Sequence, residues 1–166
     1  LVEHCQRVKP TQATLVPDAR EAFTSNHGWT LIELDAASRA ALGQSISDLK
    51  ALGARVSLFL DPVADMMPMA RELGADRVEL YTEPYAAAAA AGRGPESIAV
   101  YARAAEAARA VGLGVNAGHD LSLLNLKPFV IGTGPIDEVS IGHALIADAL
   151  ELGMAETVRR YLAQCG

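Results

Sequence analysis

The chain has 166 residues, 51% hydrophobic and 20% charged, a balance ordinary for a soluble globular protein and sufficient for one domain with a real core. Its formal net charge of -6, with Lys and Arg dispersed, excludes the clustered basic surface that nucleic acid or an anionic membrane requires. No apolar run approaches the roughly 20 residues needed to cross a bilayer.

Cys5 and Cys165 lie at opposite ends with no CxxC pattern, so neither a zinc site nor a disulfide framework is expected, and a reducing cytoplasm is the simplest compartment. The N-terminus has no basic region followed by a hydrophobic segment. The chain starts in mid-pattern, with Leu1, Val2, Cys5 and Val8 running into Lys9-Pro10, which reads as a helix end in a chain cut inside a domain.

Thr11 to Val16 alternates before Pro17-Asp18 and suits a short strand. The 17–30 stretch has no sustained period, many hydrogen-bonding groups, Thr24-Ser25 and one exposed-looking Trp29; a connection this long is either an active-site lid or plain surface. Asp35 then caps a helix carrying Leu42, Ile46 and Leu49, closed near Gly53. Arg55 to Leu60 is a second strand ending at Asp61-Pro62. Asp65 opens a helix that takes Pro68 in its first turn and reaches Leu73-Gly74.

Arg77 to Thr82 is the third strand, and the Ala86 to Ala91 run after it reads as a small helix or an adaptable loop. Pro95-Glu96 opens the strongest helix, Ser97 to Val111, stopped by Gly112. Gly114 to Gly118 follows as a strand, then a short helical segment at Leu121 to Leu126, broken before Pro128. Glu138 to Ile141 is the fifth strand, leading into a helix over His143 to Leu152 and a last amphipathic stretch through Met154, Val158, Tyr161 and Leu162.

Strand, loop and helix thus recur five times, with later steps of roughly 20 to 35 residues, the scale of βαβ units. The fold class is α/β with a parallel sheet. A complete (β/α)₈ TIM barrel usually needs about 250 residues. Five units fit, so the expectation is a partial barrel: one domain over 1–166, with 17–30 as its lid. An open arc leaves two strand edges unpaired, to be met by further strands or a partner chain.

The chemistry-bearing residues gather at the carboxyl ends of the strands. Glu79 sits mid-strand and must point into the barrel or onto the helix layer; it is either a buried acid suited to proton transfer or a structural ion pair with Arg77. His119, ending Asn116-Ala117-Gly118-His119, has an imidazole suited to acid/base work near neutrality, or is a hydrogen-bonded structural histidine. Gly142 and His143 open a helix whose free amides can bind an anion, although many strand-to-helix turns carry a glycine without doing so. His27 and His4 read as solvated, and the Met66, Met67, Met69 cluster as packing. Asp61, Glu79, His119 and His143 could also be assembled into a divalent-ion site, without any short ligand spacing to support it.

In order and separation, Arg55-Val-Ser-Leu-Phe-Leu-Asp61, Val78-Glu-Leu-Tyr-Thr82, Val115-Asn-Ala-Gly-His119 and Ser140-Ile-Gly-His-Ala144, together with Leu15-Val-Pro-Asp18 and Thr24-Ser25, resemble the pyridoxine 5'-phosphate synthase family. That resemblance covers essentially the whole chain and implies strands 4 to 8 of a TIM barrel. It also implies a cytoplasmic homo-octameric transferase of vitamin B6 (pyridoxine) biosynthesis. The reaction implied condenses 1-deoxy-D-xylulose 5-phosphate with 3-amino-2-oxopropyl phosphate to pyridoxine 5'-phosphate, phosphate and water, with no metal or organic cofactor.

By the same resemblance His119 is the proton donor and Glu79 the transition-state stabiliser. Thr24 contacts the deoxyxylulose phosphate, and Gly142 and His143 bind the aminoketone phosphate. Asp120 stands where the family usually has a phosphate-contacting glycine; a backbone contact can survive there, or Asp120 can cap the helix from Leu121. The family's first three strands, which carry two catalytic bases, have no counterpart, so this segment alone is expected to be inactive. The alternatives are a metal-dependent TIM-barrel lyase or isomerase, and a non-catalytic half-barrel that serves as an interaction module.

Overall fold

The computed structural model describes residues 1–17 and 24–166. Asp18, and the 18–23 part of the expected lid, lie outside the described residues. Five strands, β1 (Gln12–Leu15), β2 (Arg55–Leu60), β3 (Arg77–Leu80), β4 (Gly114–Gly118) and β5 (Glu138–Ser140), form one parallel sheet in sequence order. Successive strands are joined through helices, and the sheet curls into a partial TIM barrel.

Among the described residues the helices are α1 (Val2–Val8), α2 (Ala36–Ala51), α3 (Met66–Glu72), α4 (Glu83–Ala90), α5 (Gly94–Ala110), α6 (Leu126–Thr133), α7 (His143–Leu152) and α8 (Met154–Cys165). A 3₁₀ turn at Leu31–Glu33 precedes α2. Asp35 caps α2 by accepting a hydrogen bond from the Ser38 amide. Asp65 stands at the start of α3 but makes no side-chain cap.

Strand alternation divides the sheet into two chemically opposite faces. Ala13, Leu15, Val56, Leu58, Leu60, Val78, Leu80, Val115 and Ala117 are buried in the core formed with the helices. Outside the sheet, Tyr85, Tyr101 and Phe129 join α4, α5 and α6 through ring contacts of 4.9 to 5.9 Å. The Tyr101 and Tyr85 hydroxyls donate to the carbonyls of Tyr81 and Asn125, so these buried rings leave no polar group stranded.

The other face, polar apart from Phe59, lines the concave side. Gln12 Nε2 donates to Glu138 Oε1 at 3.0 Å, and Arg55 reaches both Gln12 Oε1 (2.7 Å) and Glu138 Oε2 (3.1 Å). Arg77 donates to Asn116 Oδ1 at 2.8 Å and lies 3.6 Å from Glu138. In a flat sheet β1 and β5 would stand four spacings of about 4.8 Å apart; the Gln12–Glu138 contact spans them only because the sheet is bent.

Two expectations need correction. The short helix does not lie over Leu121 to Leu126: α6 begins at Leu126 and contains Pro128 in its first turn, where the missing N–H would have had no helical partner. Nor is Trp29 exposed, since its indole packs against the core. The Ala-rich run is helical through Ala90, the end of α4, with Ala91 as its C-cap.

Candidate active site

The site lies at the carboxyl ends of the strands, and its shape begins with Gly118. A Cβ there would fall 2.1 Å from the Ser140 carbonyl oxygen, so only glycine lets the end of β4 approach β5 this closely. The buried Thr82 hydroxyl donates to the Gly118 carbonyl at 2.6 Å, and the next amide, His119 N–H, donates to Ser140 O at 2.7 Å. Clamped from both sides, the chain turns abruptly, and His119 adopts φ +36°, a region uncommon for any residue but glycine. The turn therefore sets the direction in which the His119 side chain leaves the strand end.

This turn places the imidazole between two partners. Nε2 lies 3.0 Å from Thr24 Oγ1, and Nδ1 lies 3.1 Å from Asp120 Oδ1. The His143 ring stands 5.8 Å away, edge to face. His119, Ser140, Gly142, His143 and Ile146 line an open cleft of about 340 Å³. Gly142 precedes the first turn of α7 without a side-chain cap, leaving the helix N-terminus open to an anion.

Glu79 projects from β3 onto the concave face and is only 9% exposed. Burial raises its pKa above the usual carboxylate range, and the nearby charge of Glu138 adds to the effect; Thr14 and His119 oppose it. The Thr14 hydroxyl is its hydrogen-bond donor, at 3.4 Å. The structure does not form the ion pair with Arg77, whose guanidinium turns to Asn116 and Glu138.

The segment that carries Thr24 is anchored at its far end. Trp29 N–H donates to Phe59 O at 2.8 Å, its indole N–H to Leu15 O at 3.0 Å, and Gly28 N–H to Asp61 Oδ1 at 3.0 Å. Asp61 is thus taken up by the loop. Among the described residues, no three His, Cys, Asp or Glu side chains converge as a metal site would require. His27 and His4 are exposed, and Met66 and Met67 are buried packing residues.

The structure therefore brings Thr24, His119, Asp120, Gly142 and His143 together around the strand ends, with Glu79 on the concave face. Asp120 caps nothing among the described residues: Ser122 N–H goes to Asn125 Oδ1 and Leu121 N–H to Gly118 O. Sequence reasoning missed Thr14 and Glu138 as neighbours of Glu79. Their signal was the period-two alternation of polar residues with Ala13, Leu15 and Val139.

A parallel β/α arc with an imidazole, a buried carboxyl and an open helix N-terminus at its strand ends has the construction of a TIM-barrel enzyme site. The comparisons narrow this class. The family model described as pyridoxal phosphate biosynthesis protein PdxJ matches residues 1–166, and the chain belongs to that family.

Curated relatives named pyridoxine 5'-phosphate synthase agree. The protein of Cytophaga hutchinsonii is 49% identical over 159 residues, covering 96% of this chain and 65% of the relative. That of Xanthomonas campestris pv. campestris is 49% identical over 163 residues (98% and 62%), and that of Chelativorans sp. 50% identical over 168 (99% and 65%). The chain thus spans less than two thirds of these relatives' length.

Proposed function

We propose that this chain is the strand 4 to 8 portion of a pyridoxine 5'-phosphate synthase, which condenses 1-deoxy-D-xylulose 5-phosphate with 3-amino-2-oxopropyl phosphate, releasing phosphate and water. The family membership over all 166 residues supports the reaction. The single structural observation that carries the residue roles is the 3.0 Å contact between Thr24 of the loop and His119 at the end of β4. It joins the proposed lid to the proposed acid.

Ring closure between an amine and a carbonyl needs repeated proton transfers and the loss of water and phosphate. In this reading His119 delivers protons at Nε2, which faces the loop and cleft. Glu79, held in a poorly hydrated position, answers the positive charge that develops as the imine-like species form. Gly142, His143 and the first amides of α7 hold the aminoketone phosphate, and Thr24 contacts the deoxyxylulose phosphate. Docking of the 17–30 segment as a lid would keep water from the reactive intermediates. No metal or organic cofactor has a part in this scheme.

Two features of the whole protein belong to the same proposal. Leu124, Ile131 and Leu150 are 93, 72 and 86% exposed, apolar surface of the kind that assembly into a homo-octamer would cover. Among the described residues no helix is long and apolar enough to cross a membrane, and a cytoplasmic location fits a biosynthetic enzyme.

The test is formation of pyridoxine 5'-phosphate by the protein carrying this sequence. Glu79→Gln and His119→Asn are each expected to abolish most synthesis while the protein remains folded. Intact synthesis in both variants would overturn the reading in favour of a non-catalytic module. Dependence on a stoichiometric divalent ion would favour the metal-dependent lyase or isomerase. The five-stranded arc, whose β1 and β5 each keep one edge unpaired among the described residues, is expected to make no product by itself.

A further inference from the structure

We propose that Asp120 is a positioning residue for His119: its carboxylate fixes the neutral imidazole as the Nδ1–H tautomer and so leaves the Nε2 lone pair facing Thr24 and the cleft. The inference rests on His119 being the proton carrier of the site, and it adds a second member to that group.

The contact depends on the backbone. In an extended strand, consecutive side chains point to opposite sides, and neighbours in sequence cannot share a hydrogen bond across the chain. At His119 the φ of +36° breaks that alternation, and Asp120 Oδ1 comes to 3.1 Å from Nδ1 of the residue before it. Such a conformation costs roughly 1–3 kcal/mol for a non-glycine residue, and here the Gly118 clamp and the His119 N–H bond to Ser140 impose it.

The chemistry of the pair is one-directional. A carboxylate can only accept, so the proton of a neutral imidazole must sit on Nδ1. Nε2 then has no proton of its own and accepts from the Thr24 hydroxyl at 3.0 Å. A substrate group that displaces Thr24 meets a basic Nε2, or an Nε2–H once the ring is protonated. The reactive nitrogen is thereby assigned.

A capping role leaves a different signature. A capping Asp accepts from a backbone amide one turn ahead, whereas among the described residues Asp120 takes a hydrogen bond from His119 alone. Its second oxygen, Oδ2, is buried without a partner there. Burying a carboxylate oxygen in this way is unfavourable, and the imidazole contact is the interaction that offsets it.

The test is nitrogen NMR of the protein labelled with ¹⁵N-histidine, at about pH 8.5, two units above the ordinary histidine pKa. In the unaltered protein His119 is expected to be predominantly Nδ1–H. In Asp120→Ala the ratio of Nδ1–H to Nε2–H should fall by about tenfold, the scale of losing one charge-assisted hydrogen bond. Asp120→Asn, whose amide oxygen can still accept, should keep most of the bias and serves as the control if the alanine variant folds poorly.

An Nε2–H tautomer in the unaltered protein, or one unmoved by Asp120→Ala, would overturn the inference. In synthesis assays Asp120→Ala should lower kcat with little change in KM, and Asp120→Asn should recover part of it. If His119→Asn leaves synthesis intact, the functional reading fails whatever the NMR shows. If the tautomer fails to respond while His119→Asn abolishes synthesis, only the role of Asp120 falls.

Discussion

Thr24 and His119, 95 positions apart in the chain, meet at 3.0 Å through a hydroxyl and an imidazole nitrogen. The contact connects the loop to the end of β4 at the atom that would move a proton. Thr24→Val keeps the shape and removes the hydroxyl. We expect about a tenfold loss of kcat/KM, ~1.4 kcal/mol of transition-state stabilisation, with an unchanged melting temperature; steady-state kinetics check both.

The far end of the loop is held by a close backbone approach. A Cβ on Gly28 would fall 2.2 Å from Asp61 N and 2.3 Å from Leu60 C, backbone atoms that cannot swing aside. Gly28→Ala should therefore pull Trp29 away from Leu15 and Phe59, at a cost of about 1–3 kcal/mol. Trp29 is the sole tryptophan, so a red shift in its fluorescence, with the sheet retained by circular dichroism, is the expected reading.

Gly118 is under a similar constraint in the sheet itself, with the Ser140 carbonyl oxygen 2.1 Å from where a Cβ would sit. Gly118→Ala should part β4 from β5 and release the turn that aims His119. The expected loss is about 3 kcal/mol, read from the urea midpoint, together with loss of the histidine ring contact in NMR.

Glu79 gives a pH-dependent signature. Burial raises its folded pKa above the unfolded value, so its stabilising contribution is complete below the unfolded pKa and is lost as pH rises through the folded one. Charged Glu79 thus weighs against the fold at neutrality. Glu79→Gln should be more stable than the unaltered protein at pH 7, and the gap should close near pH 4. A gap that widens on acidification would show that the carboxylate is stabilised by a partner.

Much of this architecture could be read from residue order. Alternation in Val78-Glu79-Leu80 forces the carboxylate to the side opposite the core, and the glycine before each of His119 and His143 marks a strand end. Pro128 misled because proline stops a helix interior yet is harmless in a first turn, and only tertiary packing reveals which position it holds. The hydrogen bond between the neighbouring His119 and Asp120 was out of reach for another reason. It exists through one positive φ, imposed by β5, a strand some twenty residues further along the chain.

The bridge from Gln12 to Glu138, with Arg55 bound to both, joins the first and last strands of the arc from inside. Its curvature is accordingly braced by side chains of the segment itself, laid across the concave face.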